Sequence, residues 1–104
     1  MAKIAFKMQL KPGCKGIYEQ RHAEIWPELK TLLKEAGVSD YSIFLDESTN
    51  ILFAVQEQSS GQSSQHLGSH PIVQRWWEYM ADIMETNPDN SPVSQPLKQV
   101  FYMP

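Results

Sequence analysis

Over residues 16–37 one side of the chain repeats apolar residues at helical spacing, and that stripe is broken from within by a proline. At 3.6 residues per turn Ile25, Leu29, Leu32, Leu33 and Ala36 share a face, while Glu19, Glu24, Lys30, Thr31 and Lys34 lie largely outside it. Pro27 lacks an N–H, and its ring collides with the carbonyl of Ala23, so the helix must kink or restart there. A break just after His22 shapes a pocket in place of a smooth packing face. Gly37 is a natural cap that ends the helix near Ala36. Tyr18 and His22 are four residues apart on the inward side. An imidazole and a phenol one turn apart, aimed at an apolar interior, are either partnered buried groups or the lining of a small-molecule site.

The flanking segments define the rest of the fold. Ile4, Phe6, Met8 and Leu10 alternate with Lys3, Ala5, Lys7 and Gln9, the period of a strand with one buried face. Pro12 and Gly13 turn the chain into the helix, which begins near Lys15 or Gly16. Tyr41, Ile43 and Leu45 alternate with Ser42, Phe44 and Asp46, and after a short polar turn the run Ile51, Leu52, Phe53, Ala54, Val55 reads as the return strand of a hairpin. Residues 58–70 are rich in Ser, Gln and Gly, which makes them a loop or a weak, solvated helix. Pro71 opens another helix with Ser69 or His70 as its cap, and Ile72, Val73, Trp76, Met80, Ile83 and Met84 form its stripe. Two prolines and several Asx residues stop that helix over 86–92, and residues 97–103 form a last strand.

This order, βαββαβ, is the α+β arrangement of ferredoxin-like folds: a four-stranded antiparallel sheet with helices on one face, in one domain over residues 1–104. Phe44, Leu52 and Ala54 point away from their alternate neighbours, so neither side of the hairpin is convincingly polar. A sheet with two apolar faces must be covered twice, and a second copy of the chain is the simplest cover, which predicts a homodimer forming a dimeric α+β barrel.

Composition removes several function classes. The net charge is −3 with no cluster of Lys or Arg, so the electrostatic footprint of a nucleic-acid binder is missing. No apolar stretch approaches membrane-spanning length, the N-terminus lacks a signal-peptide pattern, and a lone Cys14 suits a reducing compartment; a cytoplasmic protein is expected.

Among residues that could carry chemistry His22 comes first, because its ordinary pKa near 6.5 lets it give or take a proton near neutrality. A buried histidine satisfied by a backbone carbonyl is the competing reading. Tyr18 adds a hydroxyl one turn before it and Tyr41 another on the following strand, although each taken singly also reads as packing. Trp76 and Trp77 are adjacent on a helix and point about 100° apart, so one packs while the other borders a pocket or an interface. An exposed indole suits the C–H surface of a sugar ring, and packing at a sheet edge suits it equally. The loop from Asn87 to Pro92 is stiff enough to hold Asn87, Asp89 and Asn90 in fixed directions. No helical spacing supports a His22, His66, His70 metal site, and Cys14 has no base beside it in the sequence.

The run Gln74-Arg75-Trp76-Trp77-Glu78-Tyr79-Met80, the loop Asn87-Pro88-Asp89-Asn90-Ser91-Pro92-Val93-Ser94 and the ending Val100-Phe101-Tyr102-Met103-Pro104 closely resemble the L-rhamnose mutarotase family. Tyr18-Glu19-Gln20-Arg21-His22, Ile25-Trp26-Pro27-Glu28-Leu29 and Tyr41-Ser42-Ile43-Phe44-Leu45-Asp46 match as well, while residues 58–70 depart from the pattern. The resemblance implies a cytoplasmic homodimer that interconverts the anomers of L-rhamnose without a cofactor or metal. It also implies that His22 is the proton donor and that Tyr18, Tyr41, Trp76 and Trp77 contact the sugar. Mutarotation only opens and recloses a hemiacetal, so one group titrating near neutrality plus hydroxyl partners is a sufficient kit. Two rivals share the architecture: a small oxygenase of the dimeric α+β barrel type, and a non-catalytic small-molecule-binding module in which His22 and the tryptophans only pack.

Overall fold

The chain is seen in a computed structural model that describes residues 2–59 and 67–104. Strand β1 (Ala2–Gln9) leads into helices α1 (Lys15–Ala23) and α2 (Pro27–Glu35). The hairpin β2 (Val38–Asp46) and β3 (Ile51–Gln58) follows, then helix α3 (Pro71–Met80) and a short strand β4 (Ser94–Leu97). The sheet order is β2-β3-β1-β4, with every neighbouring pair antiparallel. This is the expected α+β arrangement, its first helix divided in two. The division falls where Pro27 requires it: Trp26 is extended and caps α2, and Pro27 takes the first helical position, where a missing N–H costs nothing. Gly37, at φ 89°, ends α2 and passes directly into β2.

Register explains which side of the sheet is buried. Met8 and Leu45 both stand opposite Leu52, and Phe6 and Ile43 both stand opposite Ala54, so these residues share the helix-covered face. Leu29 from α2, and Val73, Trp76 and Met80 from α3, close over them as one core. Leu52 and Ala54 are therefore core residues, and of the three residues expected on the far face only Phe44 is there. It lies opposite Phe53, 64% exposed, among Ile51, Val55, Lys7 and the Lys3–Glu57 ion pair. The far face is thus mixed, with an apolar centre and charged margins.

Two further expectations need correction. The last strand covers Ser94–Leu97 and not residues 97–103. It pairs with β1 so that Leu97 faces Ala5, and the same register would set Val100 opposite Ala2. Phe101 to Met103 therefore run past the start of β1, and their β-prone side chains are exposed. Helix α3 stops at Met80, so Ile83 and Met84 are buried from the loop beyond it, where Met84 bridges Leu10. His70 caps α3 as expected, its Nδ1 accepting from the Ile72 N–H at 3.2 Å. The choice between loop and helix for residues 58–70 is not settled by these elements: Gln58 closes β3, Leu67 to His70 form a turn before α3, and 60–66 lie outside the described residues.

Candidate active site

A cavity of about 620 Å³ opens between the helices and the sheet, within the roughly 300–1,000 Å³ usual for small-molecule sites. Tyr18 and His22 reach it from α1, Tyr41 from β2, and Trp76 and Trp77 from α3. The five residues that the family resemblance points to thus line one space, although they come from three separate elements.

His22 sits in the last turn of α1, stacked on the Tyr18 ring at 4.2 Å between centroids and edge-on to Trp76 at 5.5 Å. Its Nδ1 lies 3.0 Å from the backbone carbonyl oxygen of Tyr18. A carbonyl can only accept, so Nδ1 carries the hydrogen and the lone pair of the neutral ring belongs to Nε2. Burial holds the His22 pKa below the ordinary 6.5, opposed in part by the bond to the Tyr18 carbonyl. The ring is neutral at pH 7 and is poised as a base. The competing reading, a histidine satisfied by a carbonyl, is therefore half right: one nitrogen is satisfied, and that bond defines the other.

Burial pushes the Tyr18 phenol far above the tyrosine range, with the Tyr41 phenol adding to the effect. Tyr18 is accordingly a hydrogen-bonding group and not a proton store. Tyr41 lies within an irregularity of β2 between Ser39 and Ser42, next to Asp40 at φ 48°. A bulge of this kind re-aims the side chains beside it, and Tyr41 packs against the core at the cavity edge.

Both tryptophans border the cavity, each 9% exposed, so the expectation that one packs while the other borders a pocket gives way to two walls. Trp77 is fixed from behind: a Cβ on Gly68 would stand 2.6 Å from its Cη2. Its outer edge also borders a shallow polar cleft shared with Ser69, Asn87 and Asp89. The loop after α3 is cross-linked by its own side chains: the Ser91 N–H and hydroxyl both donate to Asp89, and the Asn87 amide donates to Ser91 Oγ at 3.0 Å. Of its three polar residues only Asn90, at φ 70°, lines the main cavity.

Sequence reasoning missed the groups that brace this arrangement. Trp26 stands edge-on to Trp76 at 5.1 Å, and Tyr79 lies within 6 Å of both indoles. Trp26 four residues after His22, and Tyr79 three after Trp76, were the available signals. Of the weighed metal set, His70 serves as a helix cap and His66 lies outside the described residues; among those described, no group of three His, Cys, Asp or Glu is placed to hold a metal ion. No helix among them is long and apolar enough to cross a membrane. A neutral base, phenol and amide groups, and apolar ring faces converging on one space suit a small polyhydroxylated ligand that exchanges a proton.

Comparison with known proteins agrees with this chemistry. A family model described as L-rhamnose mutarotase matches residues 3–103. The chain is 64% identical over 103 residues to an L-rhamnose mutarotase of Bacteroides thetaiotaomicron, covering 99% of each protein. It is 62% identical to one of Phocaeicola vulgatus over the same share of both. A crystal structure of an L-rhamnose mutarotase from Formosa agariphila matches at a TM-score of 0.93 and 56% identity, covering 100% of both chains.

Proposed function

The chain belongs to the L-rhamnose mutarotase family, and on that footing we propose that it interconverts the α and β anomers of L-rhamnose, with His22 carrying the proton. The observation that carries the reading is the convergence of His22, Tyr18, Tyr41, Trp76 and Trp77 on one cavity.

The chemistry follows from the protonation state of the ring. Nε2 of neutral His22 takes the proton of the anomeric hydroxyl O1, the O1 electrons form the C1=O1 bond, and the C1–O5 bond breaks with its electron pair on O5. The imidazolium then gives the same proton to O5. O1 and O5 are both bonded to C1, so one nitrogen can serve them in turn, first as base and then as acid. Rotation about C1–C2 exposes the other face of the aldehyde, and reversal of the steps closes the second anomer. General acid–base assistance of this type contributes about 10²–10⁴-fold. Tyr18 and Tyr41 hydrogen-bond sugar oxygens, while Trp76 and Trp77 face the C–H surface and the 6-methyl group of the deoxy sugar. No electron or group leaves the sugar, so the reaction consumes no cosubstrate and calls for no cofactor or metal.

The same reading extends to assembly. The far sheet face, with Phe44 exposed beside Ile51, Phe53 and Val55, is covered by a second copy in a homodimer of the α+β barrel type. The lone free Cys14 fits a reducing compartment, and we assign the protein to the cytoplasm.

Polarimetry on freshly dissolved crystalline α-L-rhamnose tests the activity. The protein should speed the drift to equilibrium rotation in proportion to its concentration. A drift equal to that of buffer alone would remove the reading.

A further inference from the structure

Arg21 precedes His22 and does not line the cavity, yet it makes the most elaborate polar contact in this region. Its Nη1 donates to the Tyr79 carbonyl at 2.8 Å and to Asp82 Oδ1 at 2.8 Å, and Nη2 donates to Asp82 Oδ2 at 3.2 Å. The guanidinium also lies 4.5 Å above the Tyr79 ring. Its side chain is only 16% exposed, against 65% for Asp82. An exposed ion pair ordinarily does little, but this one is bidentate, stacked on an aromatic ring, and bonded to a carbonyl of the last turn of α3 that the helix itself leaves open. A cation at that end is also favoured by the helix dipole.

The helix that carries Arg21 has few other anchors. α1 is 9 residues long, its N-cap Cys14 makes no side-chain cap bond, its first turn has no acidic residue, Tyr18 is its one buried residue, and its other ion pair, Lys15 to Glu47 at 2.9 Å, is exposed on both sides and so holds it weakly. A helix so short is marginal without outside contacts, and the Pro27 restart uncouples it from α2. The contact partners of Arg21 are the ring and carbonyl of Tyr79, which leans on Trp76 at 5.7 Å between centroids. Trp76 in turn meets His22 edge-on at 5.5 Å. Arg21 therefore ties the helix bearing the proton carrier to the helix bearing the aromatic wall.

Resting on the mutarotase reading, we propose that Arg21 is a positioning residue: its clamp on Tyr79 and Asp82 sets the roll of α1 and so holds His22 Nε2 where the sugar's O1 and O5 can reach it. It touches no sugar and acts through the side chains that α1 carries, chiefly His22 at the reacting atoms, with Tyr18 stacked beside it. Misplacement by about 1 Å can cost on the order of 10²-fold in rate, so a lost clamp should appear far more in kcat than in binding.

The test compares wild type with Arg21→Met, Arg21→Lys and Asp82→Ala, at a temperature where circular dichroism shows each to be folded. Anomer exchange of L-rhamnose gives kcat and KM, and proton NMR gives the ring-current shifts of the His22 ring protons. Arg21→Met should lower kcat about 10- to 100-fold with KM changed less than about twofold, and should move the His22 shifts toward solvent values. Arg21→Lys, keeping a cation and a donor, should recover part of both. If Arg21→Met does not fold, Asp82→Ala is read by the same criteria with a smaller effect, since the bond to the Tyr79 carbonyl persists. A wild-type kcat, or a lowered kcat with unmoved His22 shifts, overturns the proposal. Wild-type exchange no faster than buffer would instead sink the underlying reading, so the two failures are distinguishable.

Discussion

His22 Nδ1 lies 3.0 Å from the carbonyl oxygen of Tyr18, one helical turn earlier, and this single bond determines which nitrogen of the ring can work on a substrate. It places the hydrogen on Nδ1 and the lone pair on Nε2, while burial keeps the ring neutral. In the proposed reaction His22 therefore starts its cycle as a base.

The pH dependence follows from that state. Because burial lowers the folded-state pKa of His22 beneath 6.5, kcat/KM should be flat through neutrality and fall only on acidification past a midpoint below 6.5. Stability moves in the same direction. Between the folded and unfolded pKa values the unfolded chain binds more protons, so the His22 contribution is complete above 6.5 and is lost as pH falls through that window. A pH–rate profile in a constant-ionic-strength buffer series checks the first statement, and a midpoint above 7 would contradict it.

Gly68 sets the position of Trp77. A Cβ there would meet Cη2 at 2.6 Å and Cζ3 at 2.8 Å, so Gly68→Ala must push the indole toward the cavity. The expected outcome is a destabilisation of about 1–3 kcal/mol, as for other overpacked sites, together with a raised KM for L-rhamnose. Thermal melting and steady-state kinetics read the two effects. An unchanged KM would mean that Trp77 does not contact the sugar.

Phe44 is the residue on which the proposed homodimer should most depend. Phe44→Asp puts a charge at the apolar centre of the far sheet face opposite Phe53, and it should convert a dimer to monomer in sedimentation velocity. A wild-type protein that sediments as a monomer at micromolar concentration would remove the dimer from the account.

Much of this was legible because local rules and tertiary demands agree. Pro27 announced the restart of the helix, Gly37 announced its end, and the alternation of Ile4, Phe6 and Met8 announced β1. Where they disagree, the sequence misled. Phe101 and Tyr102 have strong strand propensity, but their register runs off the end of β1, and propensity carries no knowledge of whether a partner strand is still there. The irregularity between Ser39 and Ser42 hid the start of β2 in the same way, because a bulge breaks the period-two pattern.

The site divides along the same line. Tyr18 and His22 could be paired from helical spacing alone, since one turn brings them together. The approach of α3 to α1 could not. Arg21 and Asp82 are 61 residues apart, and nothing in their local sequence joins them before the fold does. Asn90 was visible as part of a stiff loop, but its direction into the cavity depends on the left-handed backbone at that one residue.

Neutral His22 is proposed to move the proton between O1 and O5 of L-rhamnose. Saturation transfer between the α and β anomeric protons measures that exchange directly, at fixed pH and buffer, with L-fucose and D-glucose as controls. The wild type should accelerate the exchange for L-rhamnose, and folded His22→Ala should lose about 10²–10⁴-fold. Exchange that persists at the wild-type rate in folded His22→Ala would contradict that role, and would move the proton carrier to another group of the cavity.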